Sequence, residues 1–330
     1  MQFRRTSLIA ALSVVALSAA ACGGDDESAA PEPEVAEAPE FEAGTTMAEI
    51  AERGSITIGT KFDQPFFGLE GLDGELEGFD VEVAKIIAAE LGIAPEDIEW
   101  EQTPSAVREE VIEGGEVDMV VATYTINDTR RERITFAGPY YNAGQQIMVL
   151  DENDEITGPE SFQENPELTI CSVTGSTPSE QIRQYLADPD AQLTLFDEYS
   201  QCADSLSNGQ VDAVTTDNVI LLGFVSESDG EFKLVGEQFT EEPYGIGISK
   251  GDVEFCQFIN ETLQENEDAY TEAWEATAGQ IEGTETPELP GLAGLADLIE
   301  AAARRVMARC DELARVTAAP GTIERVLRDD

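Results

Sequence analysis

Apolar and polar positions change their period several times between residues 55 and 123. Residues 55–61 (SITIGTK) alternate, as a half-buried strand does, and run into a loop marked by Pro65 and Gly68. In GFDVEVAKIIAAELG, Val81, Ala84, Ile87, Ala88 and Leu91 recur at helical spacing, and Gly92 closes the segment. A short strand near Trp100, a helix from about Ser105 to Glu113 and the strand VDMVVAT follow. Strands alternating with helices predict an α/β fold on a mainly parallel sheet.

A weak internal repeat extends this pattern. GEVDMVVAT, ending at Thr123, matches GQVDAVTTD, ending at Asp217: in both, a helix ends at glycine and a Val-Asp pair opens a buried strand whose last residue is polar. Two lobes of similar construction would explain it, although Gly-x-Val-Asp also serves as an ordinary helix-to-strand connection. Ligands of open α/β sheets sit beyond the carboxyl ends of strands, so Thr123 and Asp217 are expected to face a site, one from each lobe. The alternative for Asp217 is a helix N-cap ahead of NVILLG.

The apolar run at residues 8–17 differs from all of these. Arg4 and Arg5 precede it, small residues and Cys22 follow it, and it is too short to span a bilayer; this is the layout of an export signal. Ser-Ala-Ala-Ala-Cys, ending at Cys22, resembles a bacterial lipobox, with Ser18 or Ala19 where leucine is usual. It implies a signal peptide over 1–21 and a diacylglyceryl group on Cys22; the other reading is a secretory signal with a chance cysteine. Residues 22–45, rich in Glu, Ala and Pro, read as a disordered acidic tether. No later segment is apolar for long enough to cross a membrane.

Charge narrows the function. With 68 acidic against 18 basic residues and a net charge of −50, nucleic acid and anionic lipid surfaces are excluded as partners, and the surface reads as solvated and acidic. In so acidic a chain, each cation inside a motif gains weight. The chain has no histidine and no close Cys-x-x-Cys pair, so neither a metal site nor a cofactor is expected.

IGTKFDQPFFG, GFDVEVAKIIAAELG, GEVDMVVATYTINDTRRERITFAGPYY, VTGST and VDAVTTDNVILLG, in this order over residues 46–279, resemble successive signatures of bacterial extracellular solute-binding proteins, family 3. These are the polar amino-acid receptors of ABC importers, and the similarity is greatest to glutamate- and aspartate-binding members. The resemblance implies a type II periplasmic-binding-protein-like fold: two lobes, each a mainly parallel sheet flanked by helices, with the ligand in the interlobe cleft. Crossings near residues 143–146 and 241–244 would divide the chain into lobe 1 (46–143 plus 242–283) and lobe 2 (144–241). It further implies an extracytoplasmic, lipid-anchored monomer that closes on an amino acid and delivers it to a membrane permease, without enzymatic activity. A sensor input to a membrane kinase or regulator and a glutamine receptor are the alternatives.

The resemblance also assigns residues, and their chemistry fits. A buried amino acid needs partners for both its charges. Arg130 matches the arginine that forks onto the α-carboxylate. Thr125, together with Thr177 and its neighbour Ser176 from the opposite lobe, matches further carboxylate donors, and Asp217 the acid that holds the α-ammonium. Lys61 and Arg108 match positions that meet a distal carboxylate; burying that extra charge calls for such cations. Phe66 or Phe67 is expected over the aliphatic part of the ligand and Tyr244 along the pocket, the alternative for both being plain core. A lobe 2 disulfide between Cys171 and Cys202 is implied by resemblance to related glutamate receptors, leaving Cys256 and Cys310 unassigned. Residues 284–330 depart from the family: they carry six arginines and read as an appended amphipathic helix with Leu292, Leu295, Ile299, Val306, Cys310 and Leu313 on one face.

Overall fold

The computed structural model describes residues 30–284 and 286–289; the expected signal segment, Cys22 and the amphipathic helix of the extension lie outside the described residues. In chain order the strands are β1 (Ile56–Thr60), β2 (Asp63–Gln64), β3 (Gly68–Glu70), β4 (Leu76–Glu77), β5 (Ile98–Gln102), β6 (Met119–Val120), β7 (Thr135–Ala143), β8 (Gln145–Leu150), β9 (Ile170–Val173), β10 (Leu193–Phe196), β11 (Ala213–Asp217), β12 (Phe232–Val235) and β13 (Glu242–Ile248). Two five-stranded sheets, ordered β5-β1-β6-β13-β7 and β10-β9-β11-β8-β12, form the centres of two lobes, and β2-β3-β4 is a small sheet beside the first.

The expectation of mainly parallel sheets needs one amendment. In lobe 1, β1 is parallel to β5 and β6, whereas β13 is antiparallel to β6 and β7; in lobe 2, β9 is parallel to β10 and β11, whereas β8 is antiparallel to β11 and β12. One strand per sheet is therefore reversed, and it is the strand by which the chain arrives from the other lobe. β7 ends in the first sheet at Ala143 and β8 begins in the second at Gln145, with Gly144 between them; β13 brings the chain back. A strand that starts where its neighbours end has to pair antiparallel.

Local chemistry forms the elements as the patterns predict. Asn127 accepts from the Arg130 N–H (2.9 Å) and Asp252 from the Phe255 N–H (3.0 Å), so each caps a helix start. The helix Phe79–Glu90 is buried on nearly every side, between the lobe 1 sheet and the helices Val253–Glu265 and Glu267–Ala276. Around it Phe67, Tyr140, Tyr141, Tyr270 and Trp274 pack mainly edge to face. The internal repeat has a physical basis: Asp118 Oδ2 accepts from the Thr57 N–H (2.8 Å) and Asp212 Oδ2 from the Thr169 N–H (2.7 Å). In each lobe the aspartate of Val-Asp thus pins the start of the neighbouring parallel strand.

Part of the stretch expected to be a disordered tether is ordered. The Ala36 N–H donates to Ala89 O (2.9 Å), and the Phe41 ring meets Phe258 edge-on at 5.6 Å, so residues 36–45 are packed on lobe 1 rather than extended from it. Phe41 supplies the apolar anchor that an average over Glu, Ala and Pro conceals. At the other end Leu289 rests against the lobe 1 core.

Cys171 in β9 and Cys202 in the helix Tyr199–Ser207 form a disulfide, with Cα atoms 5.5 Å apart and a sequence separation of 31. Closing a loop of that length stabilises the fold by about 3 to 4 kcal/mol on the chain-entropy model. Urea unfolding of the ligand-free protein with and without reductant should show a loss of this size; equal midpoints would refute it.

Candidate ligand site between the lobes

Four strands of each sheet end at the seam between the lobes, and the loops beyond them carry polar side chains into a small cavity. From lobe 1 it is lined by Ser105, Arg108, Thr123 and Thr125, and from lobe 2 by Ser176, Thr177, Pro178, Tyr199, Thr216, Asp217 and Ile220.

Lobe 1 supplies the cations. Lys61, at the end of β1, is buried, and its Nζ donates to Ser105 Oγ (2.9 Å), which places it directly behind the cavity wall. Burial, and then the neighbouring Arg108 charge, lower the Lys61 pKa to about 7. Arg108 is also buried; Nη1 donates to Ala122 O (2.8 Å), Nε has no partner, and the guanidinium lies 4.1 Å from the centre of the Tyr124 ring. Arg130 is 4.9 Å from that ring centre, so one aromatic ring serves both cations.

Three of the five N–H donors of Arg130 are engaged: Nε with Glu109 (3.1 Å), Nη1 with Thr125 O (2.7 Å) and Nη2 with Gly175 O of lobe 2 (3.1 Å). It stands beside the cavity, at the mouth of the seam, rather than in its wall.

Lobe 2 supplies the acid. Asp217 occupies the N-cap position of the helix Asn218–Glu227, but its side chain makes no capping bond. Instead Oδ2 accepts from the Tyr244 hydroxyl (2.7 Å), while Oδ1 is buried without a partner. Burial, and then the nearby Glu242 carboxylate, push the Asp217 pKa up to about 8. A cation placed against Oδ1 would relieve both conditions.

The structure redistributes several expected roles. Phe67 is wholly buried in the aromatic core among Phe79, Tyr141, Tyr244 and Trp274, and Phe66 packs against the same core, so neither lines the cavity. The consecutive phenylalanines of PFFG read as apolar without saying which core they enter. Tyr244 is likewise core; its role at the site is to hold Asp217. The Thr177 hydroxyl donates to Glu242 (2.8 Å), which the Thr240 hydroxyl also binds (2.9 Å). Since a hydroxyl has one hydrogen, the 3.1 Å contact between Thr125 and Thr177 is then donated by Thr125.

Sequence reasoning missed Ser105, Tyr199, Thr216, Ile220 and the supporting carboxylates Asp80 and Glu242. Asp80 is buried; Oδ2 accepts from the Thr123 N–H (2.6 Å) and Oδ1 from the Tyr140 hydroxyl (2.6 Å). It holds Thr123 at φ +45°, a left-handed conformation that threonine rarely adopts. An acid inside an otherwise apolar helix face, as in GFDVEV, was the available signal.

Two sheet-and-helix lobes joined by crossing strands, with charged groups of both signs converging on the seam, define a solute receptor that closes about a hinge. The model of the bacterial extracellular solute-binding proteins, family 3, matches residues 56–273, and the chain belongs to this family. It is a solute-binding protein, not an enzyme, and works outside the cytoplasm; among the described residues no helix is long and apolar enough to cross a membrane.

The glutamate-binding protein GluB of Corynebacterium efficiens is 44% identical over 232 residues, covering 68% of this chain and 78% of its own. The ABC transporter glutamine-binding protein GlnH of Bacillus subtilis is 33% identical over 259 residues, covering 78% and 89%. Among solved structures, an ancestral arginine-binding protein bound to glutamine superposes with a TM-score of 0.63 at 33% identity, over 69% of this chain and 99% of that one.

The Asp217 environment has a measurable consequence. Its carboxyl titrates at about 8 in the folded chain against an ordinary 3.8, so between these values the folded chain keeps a proton the unfolded chain has released. The associated stability is present below pH 3.8 and lost as pH rises towards 8. Ligand-free Asp217→Asn should therefore be more stable than the wild type at pH 8 and equally stable near pH 4 in urea titrations. A difference independent of pH would show that the carboxyl is not held neutral.

Proposed function

We propose that the protein captures an acidic amino acid, glutamate in first place and aspartate second, by closing its two lobes, and hands it to the permease of an ABC importer. The observation that carries this reading is the pair of buried cations Lys61 and Arg108. Neither has a carboxylate within ion-pair distance among the described residues, in a chain with 68 acidic residues. Asp80 lies close to both, but its oxygens are taken by Thr123 and Tyr140. Burial of unpaired charge is unfavourable, so two such cations at a cavity wall favour an anionic ligand. Glutamine would supply an α-carboxylate but no distal charge.

In this reading Arg130 and the Thr125 and Thr177 region receive the α-carboxylate, Asp217 receives the α-ammonium, and Arg108, with Lys61 acting through Ser105, receives the distal carboxylate. The GluB relatives support the choice of ligand, and the ABC transporter relative supports the importer. Lobe 1 comprises residues 46–143 and 242–283 and lobe 2 residues 144–241, hinged at the two crossings that lead into β8 and β13. The protein is a monomer, anchored at the cell membrane through acyl chains on Cys22, each buried CH₂ contributing about 0.8 kcal/mol.

Calorimetry on protein unfolded and refolded to strip carried-over ligand tests this against glutamate, aspartate, glutamine, asparagine, arginine and histidine. Binding confined to the dicarboxylates is expected. Tight binding of glutamine or arginine would overturn the specificity, and no heat from folded protein would overturn the amino-acid receptor.

Lys61→Met and Arg108→Met should each weaken glutamate by about 2 kcal/mol or more, roughly thirtyfold, with a much smaller effect on any residual glutamine binding. Equal losses would assign these cations to the fold. Arg130→Ala should remove detectable binding of every amino acid, since all share the α-carboxylate; ordinary affinity in a folded variant would sink that role.

A further inference from the structure

We propose that β2 and the turn that opens at Pro65, in lobe 1, form a latch that holds the cleft closed at the Lys61 end, with Asp63 as a positioning residue rather than a ligand contact. The inference rests on the receptor reading, in which the lobes part to admit the ligand and meet to retain it.

Asp63 is two residues beyond Lys61, and its Oδ2 crosses the seam to accept the backbone N–H groups of Tyr199 (2.7 Å) and Ser200 (3.3 Å). These are the first two residues of the nine-residue helix Tyr199–Ser207. The first N–H groups of a helix have no intrahelical acceptor, and a carboxylate there also meets the positive end of the helix dipole. The helix does not meet this need itself: its N-cap residue, Glu198, makes no side-chain capping bond and instead accepts from the Gln102 amide of lobe 1. The cap of a lobe 2 helix is therefore supplied by lobe 1, and the residue that would have capped it is bonded to lobe 1 as well.

The same turn also bears on the next helix. A Cβ on Gly223, in the helix Asn218–Glu227, would lie 2.8 Å from Pro65 O, closer than real Cβ atoms come, so this contact depends on glycine. Tyr199 lines the cavity while its N–H holds Asp63. The latch therefore joins the loop that carries Lys61 to a wall of the cavity, and closure on a ligand brings both into place.

The test uses the full-length protein with Asp63→Ala and, independently, Gly223→Ala. Asp63→Ala should raise the dissociation rate of bound glutamate about tenfold, the usual effect of losing a helix cap, with little change in the association rate. Gly223→Ala should also speed dissociation while leaving the melting temperature of the ligand-free protein unchanged or raised, because alanine suits a helix interior better than glycine. A merely structural role would lower that melting temperature instead.

In glutamate-saturated Asp63→Ala, hydrogen exchange at the Tyr199 and Ser200 amides should run about tenfold faster than in glutamate-saturated wild type, while the later amides of the helix keep wild-type rates, because only the first groups lack an intrahelical acceptor. Wild-type exchange at these two amides, or wild-type dissociation in both variants, overturns the latch. Failure of the receptor reading appears differently, as wild-type protein that binds no amino acid, whereas failure of the latch leaves binding intact with wild-type dissociation and exchange.

Discussion

The architecture depends on one constraint: strands of both sheets must end at the same seam while a single chain passes between them. Four strands in each lobe satisfy this by sharing a direction, and their terminal loops supply Lys61, Thr123, Ser176 and Asp217. The chain can then enter a lobe only at the seam, so the entering strand runs backwards and sits between neighbours that run forwards, as β8 and β13 do. The hinge is thus a part of both sheets. Its residues take part in the site for the same reason: Tyr244 and Glu242, in the returning strand, hold Asp217 and Thr177.

The seam concentrates charge that each lobe alone would not bury. In lobe 1 the guanidinium groups of Arg108 and Arg130 share the Tyr124 ring, and among the described residues only Arg130 of the two has a contact carboxylate, Glu109. In lobe 2 Asp217 is buried with one oxygen unmatched and with Glu242 near it. Each lobe therefore carries an electrostatic penalty that a ligand of opposite charge at that end would relieve. Burial depresses Lys61 and raises Asp217, the two directions expected when neither has its counter-ion. The site is destabilising in the ligand-free protein for the same reason that it can be selective.

How much of this was legible in the sequence follows from the range of each interaction. The first strand and the Phe79–Glu90 helix depend on neighbours a few residues away, and period and punctuation revealed them; the Val-Asp pairs showed as a repeat, although their aspartates bond to Thr57 and Thr169, distant in sequence. Thr123 and Asp217 were found at the ends of such elements, and Arg108 through the family resemblance. The place of Phe67 stayed open because an apolar residue beside a predicted site looks the same whether it faces a ligand or, as here, Trp274. Asp80 and Glu242 were missed because their partners Thr123, Tyr140 and Thr177 are brought to them by the fold rather than by spacing. The reversed strands were invisible for the same reason, since direction is a property of pairing.

Selectivity by closure also requires that each lobe stay rigid while the seam between them moves, and lobe 2 meets this with a covalent bond. β9, which leads into Gly175, Ser176 and Thr177, and the helix that begins at Tyr199 are the two elements joined by Cys171 and Cys202. The ligand-facing ends of both are therefore fixed to each other within the lobe, so they approach lobe 1 together. At their point of approach Gly175 has φ +76°, its carbonyl accepts from Arg130, and a Cβ there would stand 2.8 Å from Ala106 Cα. A side chain at this position would keep the lobes apart just where Arg130 reaches across. Glycine is required here by lobe contact as well as by backbone conformation, and with it the closed geometry becomes reachable without deforming either lobe.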